Sequence, residues 1–131
     1  MSDVAQMLDL ARQALERFHD VQVDDDGAVT FVHGAVPCVV QGLELEEGLP
    51  VLNVTCVVAW DLPLEVDVPT RVAMGAGEGL FGTPRVVRGE NGWDVTLRYA
   101  FPVAGLAEKP LGTLLMLVAG NASALRAELV D

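Results

Sequence analysis

The chain has 131 residues, 51% of them hydrophobic, which is enough for a single domain over 1–131 whose apolar core needs no disulfide or metal. Nineteen acidic residues against eight basic ones give a net charge of -11, a field that repels phosphate backbones, argues against direct nucleic-acid binding and favours basic partners. The cysteines Cys38 and Cys56 lie in the apolar runs VPCVV and VTCVV without C-x-x-C spacing, so they read as buried hydrophobes. Together with the acidic, amphipathic start of the chain, they lead us to expect a cytoplasmic protein.

In chain order, Ser2 is the expected N-cap of a first helix. Its stripe is formed by Val4, Met7, Leu8, Ala11, Leu15 and Phe18, and it ends near His19. VQVDDDGAVTFVH predicts two short strands about an Asp26-Gly27 turn. In AVPCVVQGLEL, Val36, Cys38 and Val40 share one parity and Leu43 and Leu45 the other. Gly42 is therefore expected to be a bulge that flips the register and keeps all five inward. PVLNVTCVVAW places Leu52, Val54, Cys56, Val58 and Trp60 on one face of a strand that is apolar on both sides, as a central strand is, and Asp61 to Pro63 ends it. A short helix from Pro69 is weakened by Gly75, Gly77 and Gly79. PRVVRGENGWDVTLRYAF predicts a hairpin with a type I′ turn at Asn91-Gly92 and Trp93, Val95, Leu97, Tyr99 and Phe101 alternating along its second strand. A closing helix runs from about Pro110 to Leu129, apolar over most of its circumference and so buried on more than one side. The longest dense apolar run, Leu114 to Gly120, is far short of the roughly 20 residues a membrane span needs, and no membrane partner is expected.

The stretch GEGLFG, Gly77 to Gly82, matches the dinucleotide fingerprint letter for letter. That fingerprint works only where a helix follows and turns its N-terminus to the pyrophosphate, whereas here Pro84 and a strand follow, so no nucleotide cofactor is expected. DDDG, Asp24 to Gly27, fits three positions of a calcium loop but has Gln22 and His33 where the first carboxylate and the bidentate Glu belong. His19 and His33 lack ligand spacing, Ser2 and Ser123 lie outside any nucleophile motif, and no pair of carboxylates stands in an apolar setting. No metal and no catalytic site are therefore expected, and the chain reads as a protein other than an enzyme. One pattern is more specific: a turn at Asn91-Gly92 sets Arg85 directly opposite Arg98. That like-charge pair is solvated, or neutralised by Glu65 or Asp67 of a neighbouring strand, or left open as a spot that reads a partner's carboxylate.

The order of elements, with LFGTPRVV, then GWDVTLRYAFPV, then a closing helix LGTLLMLVAGNASALRAELV, resembles the YbjN-like family, which is similar in fold to the chaperones of type III secretion. The resemblance implies an α+β domain: a twisted antiparallel sheet of about five strands flanked by N-terminal and C-terminal helices. It further implies pairing into a homodimer, no catalytic site, and a role in holding or regulating another protein. The residues point the same way, because the all-round apolar closing helix and the two-sided central strand carry more apolar surface than a small monomer hides. Leu114, Leu117 and Val118 of that helix join Arg85 and Arg98 as candidate partner-binding residues. The expected client is a basic protein, for instance one that handles nucleic acid. The alternative is a regulatory domain that binds a small ligand between sheet and helix, with Arg98 or Tyr99 pointing inward. An enzyme would require one of the cysteines to react quickly in the folded state.

Overall fold

The computed structural model describes residues 3–76 and 79–130; Ser2, the expected N-cap, and Gly77 and Glu78 of the glycine pattern lie outside the described residues. Among those described, the chain forms helix α1 (Asp3–Glu16), strands β1 (Gln22–Val23), β2 (Val29–His33), β3 (Val36–Glu46) and β4 (Leu49–Leu62), helix α2 (Val68–Ala73), strands β5 (Thr83–Arg88) and β6 (Trp93–Pro102), and helix α3 (Glu108–Val130). The six strands make one antiparallel sheet in the order β1-β2-β3-β4-β6-β5, one strand more than the resemblance implies.

Strand parity decides what the sheet buries. Val29 and Phe31 of β2, Val36, Cys38 and Val40 of β3, Leu52, Val54, Cys56 and Val58 of β4, and Val95, Leu97 and Phe101 of β6 all point to one side and are buried. Across from them lie Leu111, Leu115, Val118, Ala119, Ala122, Leu125 and Leu129 of α3 and Ala11 and Leu15 of α1. Both long helices thus cover the same face, and among the described residues no helix lies over the opposite face of the sheet, an arrangement that antiparallel sheets allow. At 23 residues α3 is long and apolar enough to span a bilayer by length and composition alone, yet one side of it supplies seven buried residues to the domain's core.

Three local expectations give way to tertiary packing. Gly42 does not flip the register, because pairing runs unbroken through Gly42 to Leu52 and Leu43 to Val51, and the irregularity falls later, between Glu44 and Glu46. Gly42 stays on the helix side, where a Cβ would come within 2.3 Å of Val4 Cγ1 and 3.1 Å of Leu8 Cδ1; it is glycine so that α1 can lie on the strand. Leu43 and Leu45 are consequently left on the uncovered face. Helix α1 stops at Glu16, where the amides of Phe18 and His19 both bond the Leu15 carbonyl, and Phe18 is 81% exposed instead of completing the stripe. The bridge between β5 and β6 joins Arg88 to Trp93, and the Gly89 amide donates to the Gly92 carbonyl at 2.8 Å. The turn is thus made by Glu90 and Asn91, and neither Asn91 nor Gly92 has the positive φ of a type I′ turn.

The end of α1 carries a titratable pair. His19 Nε2 lies 3.0 Å from His33 Nδ1, the His19 ring stands edge-on to Phe31, and His19 Nδ1 is buried without a hydrogen-bond partner. The two ring centroids are 5.3 Å apart, so the nitrogens face each other along one line, as in a shared N–H···N bond. Burial, and then the neighbouring His33, hold the His19 pKa below its ordinary value. A group depressed in the folded state binds its proton more readily when unfolded, so its contribution to stability is complete above the ordinary histidine range. That contribution is lost as pH falls from about 6.5 toward the lowered value. Melting temperature is therefore expected to drop between pH 7.5 and 5.5, and the drop to shrink in His19→Phe, as followed by circular dichroism.

Candidate protein-binding surface

The uncovered face of the sheet is assembled from alternate residues of every strand. Register aligns Thr30, Val39, Thr55, Arg98 and Thr83 in one row and Val57, Thr96 and Arg85 in the next, with Val32 paired to Pro37 beyond them. At the far end of β4 the register shifts between Val57 and Ala59, so that Val58 and Ala59 both turn to the core. Trp60 is thereby sent to the uncovered face and is 61% exposed, where alternation counted from the sequence puts it in the core. Val87 of β5 is exposed on the same face, paired with Asp94. Asp94 is a carboxylate of this face, and its Oδ1 accepts the Asp61 amide at 3.0 Å. At the opposite end Leu43 and Leu45 (59% exposed) stand out from the β3–β4 hairpin, with Leu49 exposed beside them.

Arg85 and Arg98 share this face but are not opposite each other. Arg85 pairs with Thr96 and Arg98 with Thr83 on β5 and Thr55 on β4, a slip of two residues from the expected register. The cause is the position of the turn described above. Arg98 Nε donates to Asn53 Oδ1 at 2.9 Å, and among the described residues neither arginine forms an ion pair with Glu65, Asp67 or any other carboxylate. Other cations of this chain are engaged: Arg12 with Asp9 and Glu16, Arg17 with Glu108, Arg71 with the Glu128 carbonyl and Arg126 with the Val58 carbonyl.

The three candidates on α3 separate. Val118 is fully buried under the helix, which removes it from any partner surface of the folded chain; Leu114 is half-buried against the core; Leu117 is exposed. Leu117 borders a cleft of about 630 Å³ between the end of α1 and α3, whose walls include Leu15, Phe18, Gly112 and Met116. Arg98 is on the uncovered side of the sheet, away from the space between sheet and helix, so it cannot hold a ligand there. Tyr99 does point to the helix side, half-buried, with Phe81 edge-on at 5.9 Å and Phe101 stacked at 5.5 Å between ring centroids. Cys38 and Cys56 are direct cross-strand partners and both are buried; the neighbouring Cys56 thiol, and then burial, push the Cys38 thiol upward. Gly82, at a φ of +126°, leads into β5 with its Cα against Leu97, so the described part of the glycine pattern feeds a strand.

No protein-family model matches this sequence, and no curated protein does. Among solved structures, the chain is similar to YbjN from E. coli, a candidate transcription regulator: TM-score 0.63, 12% identity, 97% of this chain and 93% of that one covered. It is also similar to the Yersinia pestis type III secretion chaperone SycH, solved in complex with a fragment of YscM2: TM-score 0.53, 10% identity, 88% of this chain and 98% of that one covered. The fold is YbjN-like and type III secretion chaperone-like, an α+β domain with an antiparallel sheet between N-terminal and C-terminal helices in the sequence.

Proposed function

We propose that the protein is a non-catalytic chaperone or adaptor that binds another protein, works as a homodimer in the cytoplasm, and takes a basic client, for instance one that handles nucleic acid. The observation that carries the reading is the uncovered sheet face, where Val32, Leu43, Leu45, Trp60 and Val87 stand exposed on a fold shared with a chaperone solved on its partner. Trp and Arg are the side chains that most often anchor protein interfaces, and this face has both. The preference for a basic client follows from the charge of -11, doubled in a dimer, acting at long range through groups such as Asp24, Asp25 and Asp26 of the β1–β2 hairpin.

The test is affinity capture of the tagged protein from lysate of its own cells, at low and then high salt, with retained proteins identified by mass spectrometry. A stoichiometric basic protein that is released as salt rises supports the reading. If no protein is retained at either salt and the purified chain carries a bound small molecule, the ligand-binding alternative replaces it, with the cleft beside Leu117 as the site to examine.

A further inference from the structure

Backbone hydrogen bonds fix how close Cys38 and Cys56 stand. The Val103 amide donates to the Pro50 carbonyl at 3.1 Å, and the same register runs on through Leu52–Phe101, Val54–Tyr99 and Cys56–Leu97, so these residues of β4 turn their amides and carbonyls to β6. The bond from the Gly89 amide to the Gly92 carbonyl sets the same phase from the other side. It gives Asp94 and Thr96 to β5, as partners of Val87 and Arg85, and leaves Leu97 to β4. Cys56 therefore makes no backbone bond to β3. Cys38–Cys56 is a non-hydrogen-bonded pair, whose Cα atoms lie about 4.5 Å apart with their side chains closer than at the alternate sites. That separation falls within the roughly 4.4–6.8 Å that a disulfide spans. Parity puts both sulfurs on the helix side of the sheet, where Cys38 is 3% exposed and Cys56 0%.

We propose that Cys38 and Cys56 are a reversible redox pair, closed to a disulfide between β3 and β4 by a hydroperoxide and reopened by a small thiol. Cys38 holds its proton, with the Val36 carbonyl 3.5 Å from its sulfur as acceptor, and Cys56 is the easier of the two to ionise. The Cys56 thiolate attacks one peroxide oxygen and the O–O bond breaks. The other oxygen leaves with the proton that Cys56 gave up, as water or an alcohol, and Cys56 becomes a sulfenic acid. The Cys38 sulfur then attacks the Cys56 sulfur, the S–O bond breaks, and hydroxide leaves with the Cys38 proton as water. The two thiols lose two hydrogens and two electrons, and the peroxide takes up both. Two equivalents of a small thiol reverse the change by exchange through a mixed disulfide and depart as their own disulfide. Burial sets the rate. A peroxide reaches the sulfurs only when β3 and β4 open locally, so closure is slow beside that of an exposed thiol, and the pair responds to sustained oxidation without acting as a catalyst. Once closed, the bridge ties the two middle strands of the sheet together and restricts the unfolded chain around the β3–β4 hairpin, which stabilises the fold.

Treating the folded full chain with excess hydrogen peroxide, then alkylating any free thiol in urea and digesting with trypsin, tests this. The tryptic peptide Phe18–Arg71 contains both cysteines and no methionine, so its mass reports on the pair without interference from methionine oxidation. The expected peptide is unalkylated and lighter by about 2 Da, the two hydrogens lost. Further cleavage at Glu44, Glu46 and Glu47, which lie between the cysteines, is expected to leave its two halves joined until dithiothreitol is added. The melting temperature of the oxidised chain is expected to rise by about 5–10 °C and to return on reduction. Cys56→Ala and Cys38→Ala are each expected to show neither change, and the wild-type measurements decide the matter whether or not these variants fold. Cysteines that stay open to alkylation under a treatment that bridges the urea-unfolded chain would overturn the proposal. So would a gain of about 32 Da from a sulfinic acid in place of the bridge, a link between two chains, or a bridge that lowers the melting temperature.

Discussion

Replacing Gly92 by alanine is expected to cost about 3 kcal/mol of folding stability, the upper end of the range for forcing one extra carbon into a packed site. A Cβ at this position would stand 2.4 Å from the Leu62 carbonyl oxygen, 2.6 Å from the Asp61 carbonyl carbon and 2.9 Å from Asp61 Cα. These are backbone atoms, so no side chain can rotate out of the way. Nor can the β4 end swing aside cheaply. Asp61 is already in the left-handed region at a φ of +54°, its amide is bonded to Asp94 Oδ1, and Trp93 Nε1, one residue on, donates to the Val66 carbonyl at 3.1 Å. The neighbouring Asn91→Ala is expected to change stability by less than about 0.5 kcal/mol, because Asn91 is exposed and has no positive φ to favour it. A type I′ turn at Asn91-Gly92 would make both substitutions costly, so urea titrations of the two variants distinguish the observed turn from the one the dipeptide suggests.

That turn marks where the sequence stops being legible. The elements themselves follow from periodicity: the short hairpin of β1 and β2, the two-sided β4, the Pro-initiated α2 with Asp67 Oδ1 accepting the Thr70 amide, and the alternation of β6 are all present, although the β1–β2 turn is made by Asp25 and Asp26, with the Gly27 amide donating to the Asp24 carbonyl. Which face a residue takes is another matter, because in a strand one extra residue exchanges the faces of everything after it. Gly42 looks like such an extra residue and is instead a contact point for α1; Val58 does not look like one and is. Both errors hide the same surface. Moving Leu43 and Leu45 inward and Trp60 into the core erases from the sequence reading the apolar groups that make the uncovered face a protein-binding candidate. Arg85 and Arg98 survive the reading because a slip of two residues preserves parity, and they remain on one face even though the register is displaced. β1, though only two residues long, is the first of the two short strands that VQVDDDGAVTFVH predicts, so the residues themselves point to six strands where the resemblance implies about five.

Helix α3 gives the second large effect, and a contrast within one turn decides it. Leu115→Ala is expected to lose about 3 kcal/mol, lowering the melting temperature by on the order of 10 °C, because Leu115 is fully buried among β-strand side chains that are fixed from both directions and cannot collapse into the space. Leu117→Ala, two residues away, is expected to change stability by less than about 0.5 kcal/mol, since Leu117 is 45% exposed at the rim of the α1–α3 cleft. Hydropathy does not distinguish these leucines. The helix is apolar over most of its surface, and only the sheet beneath it, with Leu111, Leu115, Val118, Ala122, Leu125 and Leu129 at three- and four-residue steps, tells one side from the other. Thermal melts of the two variants therefore test the placement of α3 on the sheet directly. Val118→Ala extends the test: a buried valine truncated beneath the helix is expected to cost stability, whereas a valine at a partner surface would cost binding and leave the melting temperature where it was. If Leu117→Ala proves as damaging as Leu115→Ala, α3 is packed on its outer side as well, and its placement at the rim of an open cleft beside α1 is overturned.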